Sequence, residues 1–547
     1  MKIISALLAF FLTFSIMGQD KYWVFFTDKE GVSFDPYSYF DSKALERRLK
    51  HNIPLSHYSD FPVKEEYVQE VSSLADEVKV VSRWMNCMVI NAQHQNIEKI
   101  KKYPLVKEVF ATENSGSLAK LNEEKMTSSA PSRESLAISQ LALMQGEKFE
   151  ENDLSGKGVR VAIFDAGFPN VDELETFQHI FDRNGVIATY NFVRKKEDVY
   201  LSNAHGTMTM SCVGGKHFGR NLGMAPDAEF LLAKTEKGFS EKINEEEFWL
   251  AAAEWADKNG ADIINSSLGY TYHRYFQKDM DGQTTMITKA ANMAASKGIL
   301  VINSAGNEGS GDWSIIGAPA DADSVLAIGG LNPWTTVHSS FGSYGPSSDG
   351  RIKPNVVAPS TVAAQGKHEV TQVDGTSFSS PLTAGFAACV MEKYPNKTNM
   401  EIFQLIQKSG HLSPYYDYAH GYGVPQAGKI IAEIDLEPTF TVDTSGAQCK
   451  VYIEDDFFEK THILIGLSDD YEGINQSSDR FDTFDKNPQT ELIPYFYYHV
   501  TDYSGEKIDA FEVLKVNNQL IYQFPKSSAK GKTYRFHYKG YTKEIKF

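Results

Sequence analysis

Three short segments of the 547-residue chain carry side chains suited to acyl-transfer chemistry. In Ala162-Ile163-Phe164-Asp165-Ala166-Gly167 a carboxylate directly follows an apolar run, so a buried strand would hold it rigidly at its end. Asn203-Ala204-His205-Gly206-Thr207 opens the apolar helical run from Met208 to Val213. Asp374-Gly375-Thr376-Ser377-Phe378-Ser379-Ser380-Pro381 opens a second helical run, Leu382 to Glu392. Ser377 would then sit at a helix start, where the dipole and free N–H groups favour negative charge. Singly, each segment has a plain explanation: a strand-end cap, a structural histidine, a helix cap. Together they supply an orienting acid, a base and a nucleophile, in the chain order Asp, His, Ser. A fourth segment, Val301-Ile302-Asn303-Ser304-Ala305-Gly306-Asn307-Glu308-Gly309, places Asn307 after another apolar run. Its neutral amide is the donor a developing oxyanion needs, with a simple Asn turn as the alternative.

Such groups need a rigid frame. From 136 to 435 apolar strand-like runs alternate with helical ones. Strands are predicted at 159–165, 230–234, 262–266, 299–303, 325–329 and 356–358, and helices at 245–259 and 287–297. That alternation predicts an α/β domain, a parallel sheet with helices on both faces and its site at the carboxyl ends of the strands.

These motifs on this frame resemble the subtilases, the subtilisin-like serine proteases of peptidase family S8. The resemblance covers 136–435, and Gly375 to Pro381 is its most specific match. It implies a catalytic triad of Asp165, His205 and Ser377, with Asn307 as oxyanion donor. It implies that Ser267, Leu268 and Gly269 pair with an extended substrate as an added strand. Ala305 and Gly306 would wall the pocket for the residue before the scissile bond. Gly317 would form its floor, beside an Ala318–Pro319 bond that is often cis in the family. The implied activity is a secreted endopeptidase acting on protein or peptide substrates through an acyl-enzyme, with no cofactor in the chemistry. Two residues depart from the family pattern. Ala166 stands where Ser or Thr is usual, and Asn355 follows Lys353-Pro354 where larger members carry Asp. The distance from Asp165 to His205 suggests an insertion around 181–200.

The flanks complete a precursor layout. Residues 1–18 carry Lys2 and an apolar run too short to span a bilayer, which reads as a signal peptide. Residues 19–110 read as a small β-α-β-α-β unit and, by the resemblance, as an inhibitory prodomain. Residues 111–135 are polar and rich in Ser and Glu, a linker where processing is expected. Residues 437–547 show short alternating runs that predict a β-sandwich module. That arrangement resembles exported Bacteroidetes-type proteases with a C-terminal sorting domain. Asp279-Met280-Asp281-Gly282 resembles half a calcium loop, and subtilases often bind structural calcium, so Asp279 and Asp281 are its candidate ligands. A plain turn is the competing reading.

Composition excludes several classes. The net charge is −17, which disfavours nucleic acid and anionic membrane as partners. No later segment is apolar enough for a transmembrane span. The four cysteines show no C-x-x-C spacing, and Cys212 and Cys389 are expected to be buried free thiols. An α/β-hydrolase would need Gly where Ser379 stands, and a zinc protease would need H-E-x-x-H. The remaining alternative is a catalytically silent subtilase-like binding or surface protein.

Overall fold

The computed structural model describes residues 20–112, 132–237, 245–271, 275–432, 437–458, 487–502, 504–505 and 507–547. The expected signal peptide, most of the expected linker and part of the expected C-terminal module lie outside the described residues.

The chain forms two compact units. The first comprises 20–34 and 58–112. Its antiparallel sheet has the order β2-β3-β1-β4, with β1 Asp20–Phe26, β2 Glu77–Ser82, β3 Cys87–Ala92 and β4 Val106–Thr112. Helices at Glu65–Ser72 and His94–Ile100 supply Val71, Ile97 and Ile100 to a core shared with Tyr22, Val24, Met88 and Ile90. β2 and β3 form a hairpin. Trp84 sits in the turn and is itself buried, so the apolar pattern continues through the reversal.

The second unit holds 35–57 and the chain from 132 onward. Residues 35–57, inside the 19–110 range read above as one N-terminal unit, therefore pack with the parallel-sheet region. The first four helices of this unit are α1 Pro36–Tyr39, α2 Ser42–Lys50, α3 Arg133–Ala142 and α4 Glu147–Glu150. Its central sheet is parallel. In chain order the strands are β5 Arg160–Asp165, β6 Val186–Asn191, β7 Glu229–Lys234, β8 Ile263–Ser266, β9 Leu300–Ser304, β10 Val325–Leu331 and β11 Val356–Pro359. Across the sheet they run β11-β10-β9-β8-β5-β7-β6. Every residue of β5, β8, β9, β10 and β11 is buried, as befits strands covered on both faces. The six strands expected from the apolar runs are all present. Edge strand β6 lies within the stretch read as an insertion; its Val186, Ile187, Ala188 and Tyr190 are apolar or aromatic, yet only Asn191 is buried.

The helices pack as pairs. α5 Glu175–Phe181 precedes α6 His205–Gly214, which lies against α9 Thr376–Lys393, and α7 Glu246–Lys258 lies against α8 Met286–Ser296. Val213, Leu382 and Phe386 meet Ile163, Phe230 and Ile302 of the strands in one core. The hairpin of β12 Thr361–Gln365 and β13 Val370–Asp374 leads directly into α9.

The C-terminal region is two antiparallel sheets, as expected. One pairs Phe440–Asp443, Gln448–Ile453 and Leu520–Pro525; the other pairs Phe496–Asp502 with Ile508–Leu514, Lys532–Tyr538 and Tyr541–Lys546. Tyr495, Tyr497 and Val513 of this module cluster with Val337, Leu412 and Tyr415 of the parallel-sheet region. His499 Nδ1 lies 2.6 Å from Tyr416 O across the same boundary. All four cysteines are free and buried. Among the described residues no helix is long and apolar enough to cross a membrane.

Candidate active site

Strand β5 ends in Asp165 and helix α6 begins at His205. The two meet because residue 206 is glycine. A Cβ there would lie 2.3 Å from Gly167 O and 3.0 Å from Asp165 Cβ, so any side chain would push the helix off the strand end. With the helix seated, His205 Nδ1 lies 2.9 and 3.0 Å from the two oxygens of Asp165. Asp165 is 1% exposed and His205 9%. The Ala166 N–H donates to Asp165 Oδ1 at 2.7 Å, and Thr209 Oγ1 lies 3.0 Å from Oδ2. A hydroxyl thus reaches the carboxylate although Ala166 has none. Thr209 follows His205 by four residues, which puts both on one helix face. Beside Asp165 in the sheet register stands buried Lys234, whose ammonium donates to Ala166 O and Glu236 O. Burial pushes its pKa down, opposed by Glu236 and Asp165 nearby.

Ser377 is the second residue of α9 and is 6% exposed. Pro381, four residues on, has no N–H to return to Ser377 O. Ser267 Oγ donates to that carbonyl instead, at 2.8 Å, and Ser377 Oγ lies 3.3 Å from Ser267 O. Ser380 Oγ donates to Asn265 Oδ1 at 2.9 Å, and Ser379 Oγ to Ala358 O at 3.0 Å. The first turn of α9 is therefore wired to β8 and β11. Phe378 packs on the His205 ring, with centroids 5.4 Å apart, which sets the imidazole beside the residue next to Ser377.

Asn307 is exposed, but its amide is oriented. The Thr376 N–H and hydroxyl both donate to Asn307 Oδ1 at 2.9 Å. The Nδ2 donor is thereby turned the other way, 3.6 Å from where a Cβ on Gly375 would stand. Ser267 and Leu268 are buried, and no atom lies within 4 Å of the Cβ position at Gly269, so that stretch has one open face. Beyond it Tyr270 and Ala318 exchange backbone hydrogen bonds at 2.8 and 3.1 Å. The Gly317 N–H donates to Ala305 O at 3.2 Å, and the Ala318–Pro319 bond is cis. Ala305, Gly306 and Gly317 thus come together. Burial raises the pKa of Glu308 beside them.

Thr209, Thr376, Ser380 and Lys234 were not singled out in the sequence. Thr376 and Ser380 lie inside the Gly375–Pro381 motif, and that membership was the signal available for them. Asp279 accepts the Phe276 N–H at 2.8 Å, and Asp281 accepts from Gln283 N and Thr284 N at 2.9 and 2.8 Å. Each carboxylate caps its own turn. Among the described residues no group of three or more His, Cys, Asp or Glu could hold a metal ion.

The model of the subtilase family matches residues 156–423, the segment that carries all of these groups. The chain belongs to the subtilase family. The model of the peptidase S8 propeptide domain of Bacteroidota matches residues 21–129 of this subtilase. Serine protease AprX of Bacillus subtilis is 29% identical over 284 residues, covering 46% of this chain and 61% of its own length. Subtilisin DY of Bacillus licheniformis is 28% identical over 291 residues, covering 51% and 94%. The subtilase described here spans about six tenths of the length of AprX and of alkaline elastase YaB from Bacillus sp. (strain YaB). Among solved structures, MycP1 with its N-terminal propeptide removed aligns with a TM-score of 0.44 at 21% identity, covering 55% of this chain and 98% of MycP1.

Proposed function

We propose that this subtilase is an exported serine endopeptidase, made as a precursor, with Asp165, His205 and Ser377 as its triad. The observation that carries the reading is the His205 ring. Asp165 holds it through Nδ1, and Phe378, the residue after Ser377, packs on its face. In this reading His205 Nε2 accepts the Ser377 hydroxyl proton as Oγ attacks a peptide carbonyl. Asp165 fixes the tautomer and stabilises the imidazolium. The Asn307 amide and the Ser377 N–H donate to the tetrahedral oxyanion. His205 then passes its proton to the leaving amine, and water releases the acyl group by the same route.

The substrate would lie extended along Ser267 to Gly269, with one side chain entering between Ala305–Gly306 and Gly317. The absence of a side chain at Gly317 favours a large apolar residue there, and Glu308 at the rim could accept a basic one. Residues 1–18 would be the export signal, and the propeptide would inhibit the site until cut within 111–135.

The test is an active-site serine reagent followed by intact mass, with digestion of a denatured protein as a parallel readout. One adduct on the wild type, none on Ser377→Ala, and digestion by the wild type alone are expected. A processed wild-type chain that takes no label and cuts nothing would make the protein the catalytically silent alternative.

A further inference from the structure

Residues 35–57 fall within the stretch matched by the propeptide model, yet they pack into the catalytic unit. The seat is made by the carboxyl ends of the paired helices α7 and α8. Helix ends of that polarity present free carbonyls and attract cations. Arg47 fills the position. Its Nε donates to Lys297 O at 3.1 Å, and its terminal nitrogens donate to Ala261 O and to Asp257 Oδ1. Arg48 Nη2 donates to the other oxygen, Asp257 Oδ2, at 2.6 Å, and its guanidinium lies 4.1 Å from the centre of the Phe40 ring. The two arginines are 3% and 0% exposed and Asp257 is 1%.

The contact is built, not incidental. Both helices are followed by glycines with positive φ, and the segment lies on them. A Cβ on Gly260 would meet Lys43 Cβ at 2.9 Å, and one on Gly298 would meet His51 Nδ1 at 2.6 Å. The rim is charged to match. Lys43 pairs with Asp262 at 3.0 Å and Arg160 with Asp41 at 3.2 Å, and the Asp41 N–H donates to Lys258 O at 2.9 Å.

We propose that Asp257 and the ends of α7 and α8 form a receptor for an arginine pair. Its occupant is the Arg47–Arg48 segment of this chain, and the receptor tethers the propeptide to the catalytic domain after the chain between them is cut. The tether rests on the propeptide reading but not on catalysis, so it is tested in Ser377→Ala, where self-cleavage plays no part. A recognition sequence for a site-specific protease is placed within 115–130, the full chain is cut there, and the products are diluted and separated by gel filtration.

The fragment N-terminal to the cut is expected to co-elute with the catalytic domain, and to separate from it in Arg47→Ala/Arg48→Ala. Co-elution of the doubly substituted fragment as in the parent would overturn the proposal. Because that variant could fail to fold, a second arm uses the cut parent alone. A synthetic peptide of residues 35–57 should displace the fragment, and the same peptide carrying both alanines should need a concentration at least roughly thirtyfold higher, the loss typical of removing buried charge-pair partners. Equal displacement by both peptides, or by neither, would refute the tether whatever the enzyme's activity.

Discussion

Ser267 and Ser377 hold one another reciprocally, Ser267 Oγ donating to Ser377 O at 2.8 Å and Ser377 Oγ lying 3.3 Å from Ser267 O. The pairing follows from Pro381, whose ring leaves the Ser377 carbonyl without its helical partner. Ser267→Ala should therefore orphan a buried carbonyl and cost about 1–3 kcal/mol of stability. Pro381→Ala in that background supplies an N–H four residues on and should return part of the loss. Thermal unfolding of the two single variants and the double variant in a Ser377→Ala chain checks this. Strictly additive effects would contradict it.

Asn307→Ala should lower kcat about 100- to 1000-fold with little change in KM, because the donor acts on charge present only in the transition state. Thr376→Val tests the orientation separately. It removes one of the two donors on Asn307 Oδ1 and leaves the backbone N–H in place. Its kcat should fall by less than that of Asn307→Ala, and the two substitutions together should cost no more than Asn307→Ala alone. Steady-state kinetics on a peptide substrate gives all three values.

Thr209→Val removes the hydroxyl 3.0 Å from Asp165 Oδ2 while keeping the shape. Hydrogen bonds to charged groups contribute about 1.5–3 kcal/mol, so kcat/KM should drop roughly ten- to hundredfold. Steady-state kinetics checks this: an unchanged kcat/KM would leave Thr209 a packing residue only.

The boundary with the C-terminal module should be sensitive to acid. Burial holds His338 and His537 at about 3 and His499 at about 4, against an ordinary 6.5. Burial holds His411 well below its ordinary value too. Neighbouring His420 opposes protonation of His338, and Lys429 that of His537 and His411, while Asp417 favours it at His338 and His499. These groups stay neutral in the folded chain, whereas the unfolded chain takes up protons below 6.5. Their contribution is complete above that value and is lost as the pH falls toward 4, by up to roughly 1.4 kcal/mol per pH unit for each group. The Tm of the Ser377→Ala chain should fall steadily from pH 7 to pH 5. A flat Tm over that interval would show that these rings titrate normally.

The site was legible where chemistry and burial coincide in short runs. Asp165 ends an apolar strand, Ser377 opens an apolar helix, and each of the six expected strands is buried on both faces. Strand β6 was not read as a strand, because the long Asp165–His205 spacing was taken as an insertion, although Val186, Ile187 and Tyr190 fit a strand. Thr209 and Thr376 were hidden for another reason. Their hydroxyls act on Asp165 and Asn307 across the fold, and threonine inside a helical run looks like any tolerated polar residue. The place of α2 was also hidden. Its charged, amphipathic pattern fitted the N-terminal domain equally well, and only the buried Asp257 seat assigns Arg47 and Arg48 to the other unit.

The aromatic boundary around Tyr415 has a consequence in time. Tyr495, Tyr497 and Val513, which cover it, follow Tyr415 by 80 residues or more. At the usual ~5–20 residues per second of synthesis, the stretch from 415 to 513 takes about 5–20 s to make. Until then the parallel-sheet half is bare on that side. The order of synthesis therefore leaves this face of the parallel-sheet half uncovered for seconds after its last strand, β11, has been made.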